Sequence, residues 1–389
     1  MKRLYFIFCR NCKLNSPFMK HSFLMTMCLF YVCSIFGQET IPLKDALSLT
    51  ECKVSEYASS IEYIPLETTD DCLIGDEFSL IVASQDIFVH EFGDQKIYRF
   101  DRNGKYLNTI GKKGQGPGEY VSIYSIYVDE STRECFLLDT FSGNVHVYDY
   151  DGTYKRKIHV PIAPCRMTKM GNNYVMVQYL LDVSTCEMVL VTPEGKLLKE
   201  YSRNDGKKYG FSIFLPFLFT SNDAVYYKSH LSEYIYSIDE KLKRKKAYWI
   251  DLGKKQINAE EDQYRLGKGS MTQGKLVIST ISAHENLMFI PYADKGRFFA
   301  VYNTISKKIF SPGVDGKAGF IDDLTQGPLV DVPYSLYLIT SLQKNQLATY
   351  IYMADIDIND YSDGEFKQFL KKHKLDEFSN PVVRLVNLK

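Results

Sequence analysis

One unit recurs along this 389-residue chain: an alternating apolar run ending near an aromatic, a short polar turn often with glycine, then a basic and apolar run. Ile97-Tyr98-Arg99-Phe100-Asp101-Arg102-Asn103-Gly104-Lys105-Tyr106-Leu107 is the clearest copy, followed by Val145 to Tyr154 and Met188 to Leu197. Ile235 to Lys243 and Phe299 to Lys307 are degenerate copies. The turn position advances from Gly104 to Gly152, Gly195 and Leu242, in steps of 48, 43 and 47 residues.

A repeat of that length holding four short strands is the pattern of a β-propeller blade. Asn-Gly and Asp-Gly supply the positive φ that a tight hairpin needs, and alternation sends every second side chain between blades. The 29 Tyr and 24 Phe favour strands. Inner strand pairs precede the hairpins, as in Phe78 to Ala83 with Ile87 to Glu91, and Ile123 to Asp129 with Cys135 to Asp139. The expected fold is all-β: a six-bladed β-propeller of four-stranded blades over residues 59–389, preceded by a linker at 38–58. The sixth blade starts near Gly327, with inner strands around Leu329 to Val332 and Leu336 to Ser341. Pairing of Ile61 to Leu66 with Val382 to Leu388 is expected to close the ring from both chain ends. Within the last blade, Ser362-Asp363-Gly364-Glu365 reads as a capping box opening a short helix with Phe366, Phe369 and Leu370 at helical spacing. Asn258 to Glu261 is a weaker start for a second helix.

Residues 1–37 carry Lys2, Arg3, Arg10, Lys13 and Lys20 and no acid. An uncharged apolar run, Phe23 to Phe36, then meets polar Gln38-Glu39-Thr40, the layout of a secretory signal with cleavage after Gly37. Met19 makes a better start for that signal than Met1. The run falls short of the roughly 20 residues of a comfortable transmembrane helix, so release is expected over a membrane anchor. Cys33, after Val32 and Tyr31, fits a lipid-attachment site poorly, which puts the protein in the periplasm or at the cell surface without a lipid anchor. Five cysteines follow the signal, Cys52, Cys72, Cys135, Cys165 and Cys186, and no C-x-x-C pair survives. A Cys52–Cys72 disulfide is one reading, and buried thiols are the other.

Without residues 1–37 the chain holds 42 basic and 47 acidic residues, near −5, with no basic stripe. This sets nucleic acid aside as partner. A monomer is expected.

The Gly-rich loop 111–118 lacks the Gly-Lys-Ser/Thr of a phosphate loop and has no strand-to-helix setting, so it reads as a connection between blades. Lys112, Gln115, Glu119 and Tyr120 on it are candidate ligand contacts. Tyr209 and Phe211 are candidates to line a funnel by stacking on flat or sugar-like groups. Asp322 and Asp323, at the entry to the sixth blade, could bind a cation or a sugar hydroxyl. His90, His146, His159, His230, His284 and His373 show no metal-ligand spacing on one element, so no cofactor is expected, although a funnel can gather ligands for a divalent cation from distant blades. No nucleophile elbow or Ser-His-Asp order is present.

The run Ile110-Gly111-Lys112-Lys113-Gly114-Gln115-Gly116-Pro117-Gly118-Glu119-Tyr120, with Asp101-x-Asn103-Gly104-Lys105 before it and Asn380-Pro381-Val382-Val383 at the end, resembles the six-bladed β-propeller family of secreted Bacteroides-type proteins. That family is related to NHL-repeat propellers, and the resemblance spans about residues 55–389. It implies the fold and export, and no shared chemistry. The expected function is an exported module binding a glycan, peptide or protein. The alternative is a propeller enzyme of lyase or hydrolase type with a metal-assisted site in the central funnel.

Overall fold

The hairpin units fold as their spacing requires. In the computed structural model, which describes residues 38–179, 185–202, 216–229, 232–256, 275–334 and 338–389, five successive sheets have four strands in up-and-down order. Sheet one is Phe78–Val82, Asp86–Glu91, Lys96–Asp101 and Tyr106–Thr109. Sheet two is Ser125–Asp129, Glu134–Asp139, Asn144–Asp149 and Tyr154–His159. Sheet three is Pro164–Met170, Asn173–Gln178, Cys186–Val191 and Leu197–Ser202. Sheet four is Phe217–Ser221, Ala224–Lys228, Tyr234–Ile238 and Arg244–Ile250. In sheet five the inner strand is split into Val277–Ile278 and Ser282–His284, followed by Leu287–Ala293, Arg297–Asn303 and Ile309–Val314. The expected second helix at Asn258 and the signal at 1–37 lie outside the described residues.

The hairpin turns repeat in detail. Gly104, Gly152 and Gly195 sit at φ of +83°, +89° and +89°, and Leu242 takes the same left-handed conformation at +53°. Asp101, Asp149 and Asp239 each aim a carboxylate oxygen at the N–H four residues on, at 3.0, 2.8 and 2.8 Å. That carboxylate satisfies a turn donor, which lets a residue with a Cβ stand where glycine is preferred.

Each sheet shares a hydrophobic cluster with the next. Ile81 and Phe88 of sheet one pack with Leu137 and Tyr148 of sheet two. Equivalent clusters join two to three, three to four and four to five, and further ones join five to six and six back to one. Arginines cross several seams: Arg99 pairs with Asp86 at 2.7 Å and donates to the Tyr150 carbonyl, and Arg156 pairs with Glu134 and donates to the Pro193 carbonyl. Arg244 of sheet four reaches Glu187 of sheet three at 2.9 Å. Sheets packed in sequence around an axis, with one short α-helix among the described residues, make this an all-β propeller.

The last sheet departs from expectation. It has three strands, Gln346–Ile351, Val382–Leu388 and Ala58–Pro65. Val382–Leu388 lies in the middle and pairs antiparallel with both neighbours, Leu385 opposite Ala348 on one side and Glu62 on the other. Among the described residues, which leave out 335–337 and with them the expected start of the second strand at Leu336, the two expected inner strands do not form a pair. Leu329 to Val332 contributes a single bridge between Val330 and Phe320, and Ile339–Ser341 runs parallel to Phe78–Val82, Ile339 opposite Leu80. The segment that would be the sixth inner strand thus saturates the axial edge of sheet one.

Residues expected to be a linker are built into the barrel of sheets. Ile41, Leu43 and Ala46 are buried in the seam between sheets four and five. Leu49–Thr50 then pairs parallel with Ser311 and Pro312, and Cys52 and Val54 enter the seam between five and six. The helix runs Glu365–His373 with Gly364 as its N-cap, and the Ser362 capping box does not form. Its first turn is satisfied instead by the Thr325 carbonyl, which accepts from the Phe366 N–H at 3.1 Å, while Phe366 and Leu370 are buried.

Candidate functional site

The Gly-rich loop is held from within. Glu119 accepts from the Gly116 N–H at 2.8 Å and pairs with Lys112 at 3.4 Å, and these contacts hold its carboxyl below the usual carboxylate range, the backbone bond contributing most. Tyr120 is buried and donates its phenol to the Gln95 carbonyl at 2.7 Å, and burial pushes that phenol above its ordinary range. Tyr148 from the neighbouring hairpin donates to the Gly118 carbonyl at 2.6 Å. Gln115 shares the loop.

Asp322 and Asp323 organise the outer side of the sixth sheet. Asp322, 5% exposed, accepts from the N–H groups of Leu324, Thr325 and Gly327 and from the hydroxyls of Tyr63 and Thr325. Asp323 accepts from Ser55 N–H at 3.0 Å and Ser55 Oγ at 2.7 Å; burial opposes its charge, and these bonds prevail to hold its carboxyl low. Their partners come from their own loop, from the outermost strand at Tyr63 and from the N-terminal segment at Ser55. Tyr209 and Phe211 lie outside the described residues. The structure therefore joins Lys112, Gln115, Glu119 and Tyr120 in one loop and Asp322 with Asp323 in another.

A different set of residues forms a cavity. The innermost strands leave a channel of about 200 Å³ on the axis, with Ile81, Tyr127, Arg166, Phe219, Ile281 and Leu338 among its walls, one from each successive part of the ring. At one end Thr220, Ala283 and Lys344 also line a second, wider space of about 490 Å³ edged by Lys169, Asp223, Glu240 and Glu285. Lys344 and Asp223 pair there at 2.9 Å, both largely in solvent. None of the six described candidate residues belongs to either wall.

Channel walls alternate apolar and hydroxyl side chains, with Phe217, Phe219 and Met167 beside Thr168, Thr220 and Ser282. Phe219 stacks on Tyr226, ring centroids 5.4 Å apart. Arg166 donates from one guanidinium nitrogen to the Cys165 carbonyl at 2.9 Å. Lys228 stands behind the wall, 3% exposed, with its ammonium 5.2 Å from the centre of the Phe217 ring and 3.2 Å from the Ser229 carbonyl; burial lowers it to about 7. His284 lines the channel, and burial holds its imidazole neutral, pushing it down to about 4. Among the described residues no three His, Cys, Asp or Glu side chains lie where they could share a metal ion. Cys52, Cys72, Cys135, Cys165 and Cys186 are buried thiols and no disulfide joins Cys52 to Cys72. Cys72 instead donates to the Glu67 carbonyl.

The fold and channel define the class: a β-propeller with an open axial cavity. Residues 38–387 match the family model described as a domain of unknown function, DUF4934, and the chain belongs to that family. Among solved structures it is similar to a Bacteroides fragilis protein assigned to export by inference, with a TM-score of 0.70 and 16% identity over 90% of this chain and 99% of the other. A member of the DUF4221 family from Bacteroides vulgatus aligns at a TM-score of 0.51 and 11% identity, covering 85% and 97%. At these identities the likeness is one of fold. Comparison with curated proteins found no match.

Proposed function

We propose that this chain is an exported, monomeric six-bladed propeller that binds a glycan, peptide or protein-derived ligand in its axial channel, in the periplasm or at the cell surface. The observation that carries this reading is the channel itself: a cavity of about 200 Å³ mixing aromatic, aliphatic and hydroxyl walls and opening into a wider vestibule. Concave, mostly apolar sites with a few placed polar groups are where small ligands bind. The sixth blade is counted from the three-stranded sheet together with Ile339–Ser341, which touches both that sheet and sheet one. Export rests on the sequence of residues 1–37, and among the described residues no helix is long and apolar enough to cross a membrane. The described residues give no specific support to the lyase or hydrolase reading.

The test is a thermal-shift screen of glycans, peptides and small organic acids and bases against the wild type and Thr220→Trp. Thr220 is exposed and lines both spaces, so the indole fills the passage without entering a packed seam. Ligands that raise the melting temperature of the wild type, by mass action on the native state, are expected to lose that effect in Thr220→Trp. Hits that bind both equally would place the site elsewhere.

A further inference from the structure

The vestibule lies where the turns between first and second strands converge. Turns 171–172, 222–223, 285–286 and 342–345, with 239–243 beside them, all fall within the described residues. Both lysines on its wall are held, Lys169 by Asp129 at 2.9 Å and Lys344 by Asp223 at 2.9 Å. Glu240 and Glu285 are exposed and have no hydrogen-bond or ion-pair partner among the described residues. The Glu240 carboxylate lies over Gly171, where a Cβ would stand 2.7 Å from its oxygen.

Where this space meets the channel, the polar side chains are uncharged and uncommitted. Thr220 belongs to both walls, Asn222 to the vestibule, and Ser282 and Gln343 to the channel; none of these side chains hydrogen-bonds to a described residue. A hydroxyl donates and accepts, and a side-chain amide does both from its two ends. Phe219 stands next to Thr220 on the channel wall, its ring stacked on Tyr226. The junction therefore offers hydrogen-bonding groups of both senses beside an aromatic surface, with carboxylates at the outer edge.

A pyranose sugar is the complement of that set. Its rim hydroxyls donate and accept as the lining hydroxyls and amides do, and its C–H face lies flat on an aromatic ring. Carboxylates that hold no cation accept hydroxyl hydrogens in charge-assisted bonds and repel a ligand that is itself an anion. We infer that the junction of vestibule and channel binds an uncharged pyranose, its hydroxyls read by Thr220, Ser282, Asn222 and Gln343 and its entry on the Glu240 and Glu285 side excluding acidic sugars. The inference rests on the channel being the binding site and adds the ligand class and the residues that read it.

The probes are the methyl glycosides of glucose, galactose and mannose, their uronate counterparts, and trialanine, titrated by calorimetry at probe concentrations up to about 10 mM. At least one neutral glycoside is expected to bind, about fivefold or more tightly than its own uronate, and to be blocked by Thr220→Trp. The double variant Glu240→Gln with Glu285→Gln, changed only at exposed positions, is expected to narrow the gap between neutral and acidic sugar to within about twofold. If trialanine binds, Thr220→Trp blocks it and no glycoside binds, the channel reading stands and the sugar inference falls. The inference also falls if no glycoside binds at all, or if a uronate binds as well as its neutral counterpart. Glycoside binding untouched by Thr220→Trp would overturn the channel reading as well.

Discussion

At the scale of single residues, the turns show where backbone geometry and space act together. A Cβ on Gly104 would stand 2.0 Å from the Pro65 carbonyl oxygen, in a residue already at positive φ, whereas Gly316, at φ +77°, has nothing within 4 Å. Gly104→Ala is therefore expected to cost about 2–4 kcal/mol and Gly316→Ala about 1 kcal/mol, read from urea midpoints. Equal losses would show that the Pro65 contact yields freely. His90 gives a second case. It is fully buried between strands, neither ring nitrogen has a hydrogen-bond partner among the described residues, its neighbours include Ser79 across the ladder and the Phe92 ring at 4.2 Å, and burial lowers its pKa to about 3. The unfolded chain takes up this proton near pH 6.5 and the folded chain only near 3. Stability is thus intact above about pH 6.5 and is lost at about 1.4 kcal/mol per unit as pH falls through that window. His90→Leu is expected to remove this slope between pH 6 and pH 4 relative to the wild type. An unchanged stability difference between the two proteins at both pH values would contradict it.

At the scale of elements, the hairpins were legible because the first three carry a glycine turn between alternating runs, Asn103-Gly104, Asp151-Gly152 and Glu194-Gly195, and spacing and alternation led on to the glycine-free turns at Leu242 and Lys307. The pairing of Ala58–Pro65 with Val382–Leu388 was legible as two strand-like runs without partners. The N-terminal segment was not, because its contacts come in pieces of two to four residues, too short for any periodicity. Ile41 and Leu43 are nonetheless fully buried, Asp251 N–H donates to the Ile41 carbonyl, and Lys44 pairs with Asp251 at 2.7 Å. Ile41→Ala and Leu43→Ala are each expected to cost about 2–4 kcal/mol. Denaturant midpoints equal to wild type would return this segment to the status of a linker. The channel escaped the sequence for another reason. Alternation tells which of two blade faces a residue takes, but the axis is reached from the edge of the innermost strand, so Arg166 and Phe219 look like ordinary strand residues until the sheets are arranged in space.

At the scale of the whole molecule, stability rests on neighbouring sheets covering one another, since no single sheet hides its own apolar faces. The seam that joins the last sheet to the first depends on Val382–Leu388, a strand buried along nearly its whole length, where fully buried Arg384 donates to the Pro328 and Leu329 carbonyls and pairs with Asp331 at 2.7 Å. Removing residues 382–389 would expose both partners of that strand and is expected to abolish cooperative melting. A truncated chain that melts in one sharp transition near the wild-type temperature would show that the remaining sheets stand without it.

The central claim is that the axis of this ring is where the protein meets its ligand, and hydrogen exchange with and without a hit from the thermal-shift screen tests it most directly. Inner-strand amides at the channel are the ones a ligand there would shield. Protection is expected in Pro164–Met170, Phe217–Ser221 and Ser282–His284, with little change in Phe78–Val82, whose axial edge Ile339–Ser341 already covers. Protection confined to outer strands such as Tyr154–His159 and Leu197–Ser202, or to the 111–120 loop, with the inner strands unchanged, would contradict the account.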